Sequence, residues 1–463
     1  MPCSVNRCLI VFLCLYCTVA QSQSPYSGGA TTVFDTSVSA YMKPAKNLSF
    51  YNKQSFFIGN AFFRNPWVVA PSSIRARDGL GPLFNTNTCE SCHVKDGRGL
   101  PHAGNKALVA MLVRLSVNSE MSDELDTQLS RHGFITEPVY GNQIQPLSIP
   151  GVPAEAKVTL KWHQIIFKFP DGSSVQLRKP QIELSQLAYG ELHEQVALSA
   201  RTAPAMIGLG LLEAIPEATL NKLSEIQLQS NNGVTGTLNK VWDQRVHKTV
   251  PGRFGWKASM PNVKQQVASA FSADIGVTSS LFPETVCTEH QAKCLSAPSG
   301  GKPELDDEFL DFVTSYSKTL AVPARRNIRD KRVMFGEQYF REAGCNQCHV
   351  ETLKTGKSKN FPELSFQEIH PYTDLLLHDM GEGLADQSRE FLATGAEWRT
   401  APLWGIGLMK TVNGHTNLLH DGRARNIEEA ILWHQGEAKT ARDNYANMPK
   451  EKRLMLVKFI ESL

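Results

Sequence analysis

Two pentapeptides of one pattern stand in opposite halves of this 463-residue chain, Cys89-Glu90-Ser91-Cys92-His93 and Cys345-Asn346-Gln347-Cys348-His349. In Cys-x-x-Cys-His the two thiols add to the vinyl groups of a haem and the adjacent histidine ligates the iron from the proximal side. With ten cysteines and thirteen histidines in the chain, chance would supply about 0.006 copies. The pattern therefore predicts two covalently bound haem c groups, attached through Cys89, Cys92, Cys345 and Cys348, with His93 and His349 as iron ligands. A zinc site built from two Cys-x-x-Cys pairs usually has them close in sequence, which these are not. A thioredoxin-like redox motif needs a preceding strand, and Gly81-Pro82-Leu83-Phe84-Asn85-Thr86-Asn87-Thr88 does not read as one.

Attachment of this kind belongs to an oxidising compartment, and the N-terminus agrees. Arg7 followed by the apolar run from Cys8 to Thr18-Val19-Ala20 reads as a secretory signal peptide over residues 1–20, too short to span a bilayer. Tyr16 is bulky where a residue before a lipid-anchored Cys17 should be small. No later segment is apolar enough to span, so a periplasmic protein without a membrane span is expected. Removing the signal leaves Cys287 and Cys294 beside the four haem cysteines, and that pair is expected to form a local disulfide. A formal net charge of +3 and 20% charged residues give no basic stripe for nucleic acid and suit an ordinary globule.

The two halves echo each other. Arg201-Thr202-Ala203-Pro204-Ala205-Met206-Ile207-Gly208-Leu209-Gly210 recurs as Arg399-Thr400-Ala401-Pro402-Leu403-Trp404-Gly405-Ile406-Gly407, and Phe84 and Phe340 stand equally far before their first haem cysteine. Such a repeat argues for a duplicated haem domain. Leu305, Phe309, Phe312, Val313, Tyr316 and Leu320 keep helical spacing up to the proline-containing stretch Ala321-Val322-Pro323-Ala324-Arg325-Arg326, read as a linker. A terminal helix with Leu454, Val457, Ile460 and Leu463 on one stripe would close the second domain. Between Leu112 and Leu184 the period changes to alternation, with Asp171-Gly172 as a hairpin turn. The expected fold is mainly α, with two cytochrome c-like haem domains: residues 21–320, carrying a β-containing insertion over about 110–200 as a cover or docking surface, and residues 321–463.

Several segments carry a resemblance. Gly79-Leu80-Gly81-Pro82-Leu83-Phe84-Asn85 before Cys89, Asp96-Gly97-Arg98-Gly99 after His93, Tyr372-Thr373-Asp374-Leu375-Leu376-Leu377-His378-Asp379-Met380-Gly381 and His420-Asp421-Gly422-Arg423-Ala424 resemble the bacterial di-haem oxidoreductase family, usually labelled peroxidase or thiol oxidoreductase. The resemblance covers nearly all of the mature chain. More distantly the C-terminal half is similar to the di-haem cytochrome c peroxidases and to related enzymes that oxidise tryptophans of a partner protein. In those, a helix after a His-Asp-Gly turn bears the distal ligand of the second haem. Read onto this chain, that helix runs from Asn426 and the ligand position falls on His434, where the peroxidases carry methionine and the tryptophan-oxidising enzymes tyrosine.

The resemblance implies a division of labour in which one haem receives electrons and the other, with an open iron face, reacts with a small redox substrate such as hydrogen peroxide. An iron filled on both faces can only pass electrons. Setting Asn262 to Phe271 beside Asn426 to Gln435 puts Ala270 opposite His434, so the first haem is expected to be the open one. Gln265 or Gln266 then lies near that face as the candidate catalytic group. A glutamine orients but is no general acid.

Other candidates stand beside these. His102 could reach back as a distal ligand of the first haem, and Met380 or Met409 could replace His434 at the second. His378 and His420 are expected to hydrogen-bond haem propionates or backbone, and Trp256, Trp404 and Trp433 to pack or to relay electrons. A periplasmic electron-donor protein is the expected partner, and calcium between the domains, as in some peroxidases, is neither indicated nor excluded. Two other classes compete with the oxidoreductase: an electron-transfer cytochrome with both irons closed, and a haem-based sensor. The coordination of the first haem separates them.

Overall fold

A computed structural model of the chain describes residues 24–101, 109–118 and 123–463. The signal segment and His102 lie outside them. Helix makes up 34% and strand 18% of the chain, the strands forming two-stranded sheets. Helix thus exceeds strand without being more abundant than in an average globular protein, and the expected mainly α fold is a mixed one framed by helices.

The frame is two crossed helix pairs built alike. In the first, α1 (Phe50–Arg64) packs on α2 (Asp307–Thr319). Ser49 caps α1, accepting from Asn52 N, and the buried face of Phe56, Gly59 and Phe63 follows the three-four spacing of a helix stripe. A Cβ on Gly59 would stand 2.0 Å from the Phe312 carbonyl oxygen, so only glycine lets the two backbones meet there. In the second pair α3 (Lys331–Ala343) packs on α4 (Lys450–Ser462), and a Cβ on Gly336 would stand 2.0 Å from the Met455 carbonyl.

One turn beyond each crossing sits an aromatic pair. Phe63 meets Tyr316 at 5.2 Å and Phe340 meets Phe459 at 5.1 Å between ring centroids. Each also faces the histidine of its own pentapeptide, Phe63 to His93 at 6.1 Å and Phe340 to His349 at 6.3 Å. The counterpart of Phe340 is therefore Phe63; Phe84 lies in a short strand paired with Leu147–Ser148. Sequence distance misleads because a loop separates α1 from Cys89, whereas α3 runs directly into Cys345 through Gly344.

Two further expectations shift. On α4 the crossing at Met455 turns Leu456, Phe459 and Ile460 inward, with Leu463 just beyond, and leaves Leu454 59% exposed, so the predicted stripe is rotated. The stretch from Ala321 to Arg326 is no free linker: Ala321, Val322 and Ala324 are buried, and Val33 exchanges backbone hydrogen bonds with Val322 and Ala324. Its alanines and valine pack as core. That core also draws on Leu353, Leu364, Ile369 and Leu408 from beyond residue 320.

The region read as an insertion is closed by β1 (Met111–Val117) and β4 (Val196–Thr202), antiparallel with Met111 opposite Thr202. Inside it β2 (Lys157–Lys168) and β3 (Ser174–Ser185) form a hairpin in which Phe167 faces Val175, turning at Gly172 with φ +84°. Twelve residues per strand reach about 40 Å. At its base Val158 and Leu160 pack with Met111, Val113 and Leu115; at its tip Phe169 and Leu177 join the core of the C-terminal half. There Arg453 lies 4.0 Å over the Phe169 ring and 3.0 Å from Asp171, and Arg178 donates to the carbonyls of Gly422 and Arg423 at 3.0 Å. The hairpin is a strap from one half to the other.

Candidate active site

Each pentapeptide sits on a short helical turn at the end of its helix pair, and each histidine is fixed the same way. His93 Nδ1 lies 2.8 Å from the Pro204 carbonyl and His349 Nδ1 2.9 Å from the Tyr372 carbonyl. A carbonyl only accepts, so Nδ1 carries the proton in both rings and Nε2 keeps its lone pair. Burial pushes both histidines down to about 4, which keeps them neutral. None of the four cysteines is in a disulfide; burial raises all of them as thiols, Cys89 and Cys345 to about 12.

Both motifs open into one cavity of about 700 Å³. Two helices, each opened by an asparagine, also contribute to its wall: α5 by Asn262, which accepts from Gln265 N at 2.9 Å, and α6 by Asn426, which accepts from Glu429 N at 2.9 Å, with α5 spanning Val263–Ala270 and α6 Ile427–Trp433. The two caps set a common register in which Ala270 and His434 are equivalent, and both line the cavity. His434 is the C-cap of its helix, and its Nδ1 lies 2.7 Å from the Ala430 carbonyl, so this ring too presents Nε2. It stands near enough to His349 to disfavour that ring's protonation.

The two glutamines differ. Gln265 is consumed by backbone, its Nε2 donating to Trp242 O and its Oε1 accepting from Gln244 N, both at 2.9 Å. Both residues line the cavity, but the Gln266 side-chain amide makes no hydrogen bond among the described residues.

Asp274 lies one turn past Ala270, where the helix widens into a π-turn over Phe271–Ile275, and sequence reading missed it. Its Oδ1 accepts from Gln143 Nε2 at 2.9 Å, it lines the cavity, and it is close enough to raise Cys89 and Cys92. Burial raises its own carboxyl pKa above the usual range, against the opposing charge of Arg114 and the bond from Gln143. The only available signal was an acid near the aligned helix, with nothing to bring Gln143 beside it.

The remaining candidates find other partners. His378 is held between Asp374 and Glu437 at 2.9 and 2.7 Å, and His420 stacks on Trp398 with centroids 3.6 Å apart. Of the two expected partners, backbone is not what either ring bonds among the described residues: carboxylates take that place, Asp374 and Glu437 for His378 and Asp421 at 3.4 Å for His420. Trp256 lines the cavity and donates to Thr202 O at 2.9 Å; Trp404 also lines it, while Trp433 is core beneath Arg423. Met380 and Met409 line the cavity, Met409 as buried core. Cys287 and Cys294 lie at disulfide distance, their Cα atoms 5.8 Å apart.

Residues 21–463 match the family model described as "Di-haem oxidoreductase, putative peroxidase". The chain belongs to the di-haem oxidoreductase family. No curated protein matches it significantly. Among solved structures it is similar to the hydrazine synthase of Kuenenia stuttgartiensis, pressurized with 20 bar xenon, at 14% identity over 38% of this chain and 63% of that one, with a TM-score of 0.24; so slight a likeness carries no argument.

The cavity of this di-haem oxidoreductase fits the group its family is named for. Besides two thiols and one imidazole lone pair at each motif, it holds two guanidiniums, one buried and one half-buried, with no salt bridge to a carboxylate among the described residues. Arg98 donates to Thr202 Oγ1 and to the Leu419 carbonyl, its Nε left unpaired; Arg399 donates to the carbonyls of Gly255 and Thr400. Burial pulls both down to about 10. The charges of Asp421 and Asp374 act on them only from a distance; cations held away from water without a directly bonded anion are costly, and haem carboxylates would supply such anions. The one cluster of possible metal ligands among the described residues, Cys348, Asp374 and His378, is not the all-oxygen set that calcium takes.

Proposed function

We propose that this protein is a periplasmic, peroxidase-like oxidoreductase with two covalently attached haem c groups, one at Cys89 and Cys92 and one at Cys345 and Cys348, each in its own cytochrome c-like domain. Electrons pass from the C-terminal site to a reactive N-terminal site. The observation that carries this is the pair of equivalent positions Ala270 and His434 on the cavity wall: an imidazole there would close the second site, and a methyl group would leave the first one open.

When bound, each haem supplies an iron that exchanges electrons and, where one face is free, accepts a small oxidant. His93 and His349 hold their rings in the ligating tautomer through the Pro204 and Tyr372 carbonyls. His434, oriented by the Ala430 carbonyl, would hold the second haem's iron through Nε2. At the first, the Gln266 amide orients peroxide and the Asp274 carboxyl delivers a proton to the departing oxygen, a task the glutamines cannot perform. Reducing one peroxide to two waters takes two protons and two electrons, so a partner must donate. Asn346 and Gln347 are exposed, whereas Glu90 and Ser91 are not, which supports electron input from a periplasmic donor protein at the second site. That no helix among the described residues is long and apolar enough to cross a membrane is compatible with a donor reaching it by diffusion.

The test is peroxide consumption by holoprotein with two haem masses, supplied with a one-electron donor. Turnover that depends on both attachment motifs is expected. Two haems without any peroxide reaction would make the protein an electron carrier.

A further inference from the structure

We infer that Asp374, His378 and Glu437 form a fixed-charge element that sets the reduction potential of the haem at Cys345 and Cys348; the inference rests on the attachment proposed above. His378 is buried, its side chain 2% exposed, with Nε2 2.9 Å from Asp374 Oδ2 and Nδ1 2.7 Å from Glu437 Oε2. The surrounding hydrogen bonds locate the protons. Asp374 accepts from Gln227 Nε2 at 2.8 Å and from Leu376 N at 2.9 Å. Glu437 accepts from Thr235 N and Thr235 Oγ1, both at 2.9 Å. Carboxylates that accept from every neighbour carry no proton, so both ring nitrogens donate and His378 is an imidazolium. Burial opposes that charge, and the bonds to Asp374 and Glu437 outweigh it, holding the ring's pKa up to about 12.

Among these three groups two carboxylates and one imidazolium leave about one negative charge, and the Arg399 guanidinium acts on Asp374 from outside the cluster. His378 Nδ1 lies 3.7 Å from Cys348 Sγ, the sulfur that would bond the haem. Oxidation adds a positive charge to the haem, so a fixed negative charge beside it favours the ferric state and lowers the potential. The effect has the sign that makes the second site the electron donor of the pair. A metal site built from the same residues is not available, since His378 has no free lone pair and Cys348 is committed to the haem.

The cluster also ties Gln227 and Thr235 of the first half to the second half, and the experiment must separate charge from tethering. After counting haems by mass, the holoprotein is titrated spectroelectrochemically, following the absorption of the second haem. E437Q and D374N each remove one negative charge and are expected to shift its potential in the positive direction, while E437D, which keeps the charge, stays near the parent. Whichever neutralising variant assembles with both haems decides. An unchanged potential in that variant overturns the inference, as does a shift in E437D equal to that in E437Q. Absence of haem at Cys345 and Cys348 in the parent protein would instead overturn the attachment on which the inference rests.

Discussion

The first and second sites share a glycine helix crossing, an aromatic against the proximal histidine, a carbonyl holding that histidine's Nδ1, and a cavity-lining helix capped by asparagine. They part at the residue eight places after the cap, Ala270 in one and His434 in the other, and again in the surroundings. The first has Asp274 and Gln266 on the cavity wall and a half-buried Cys-x-x-Cys turn. The second has a carboxylate-bound imidazolium at Cys348 and its attachment turn facing solvent. On the proposed function, the shared parts would hold a haem and the differing parts would decide what it can do. If that proposal holds, a duplicated scaffold serves two roles by changing one side chain on the cavity wall and a few charges.

Exchanging the two positions breaks the comparison most severely. His434→Ala should convert the second site from a low-spin to a high-spin or water-ligated spectrum, and an unchanged spectrum would point to Met380 or Met409. Ala270→His should close the first site, abolishing cyanide binding and peroxide turnover together.

Asp274→Asn sharpens the comparison at the next level. The peroxide reaction should slow by about 10²-fold or more if a positioned acid is lost, with little change in either visible spectrum. The raised pKa of Asp274 keeps it protonated above the usual carboxylate range. The parent rate should thus fall as pH rises through that pKa, and the Asn variant should lack this limb in a stopped-flow pH profile.

The smallest effects concern the scaffold. Gly59→Ala and Gly336→Ala should each cost about 1–3 kcal/mol in thermal or denaturant unfolding, because each Cβ would press on a backbone carbonyl. Similar losses at the two crossings would mark them as equivalent parts; a loss at only one would not.

What the sequence revealed was what lies close together along the chain. The Cys-x-x-Cys-His turns, the asparagine caps that align Ala270 with His434, and the hairpin at Asp171-Gly172 are all local patterns. Features that depend on distant partners escaped it. Phe63 was hidden by the loop before Cys89, Asp274 by its dependence on Gln143, and Trp398 by its stack on His420. Asp374 and His378 have the spacing of helix neighbours, yet they lie in an extended segment with positive φ at Tyr372 and Leu375 and meet only because Glu437 and Gln227 arrive from elsewhere. Gln265 was misjudged for the same reason: nothing along the chain showed that the backbone at Trp242 and Gln244 would consume its amide.

The central claim is that one site is open and the other closed. Electron paramagnetic resonance of the oxidised holoprotein, titrated with cyanide, tests it directly. One high-spin and one low-spin haem are expected, with a single equivalent of cyanide converting only the high-spin signal. Two low-spin signals that ignore cyanide would contradict the account.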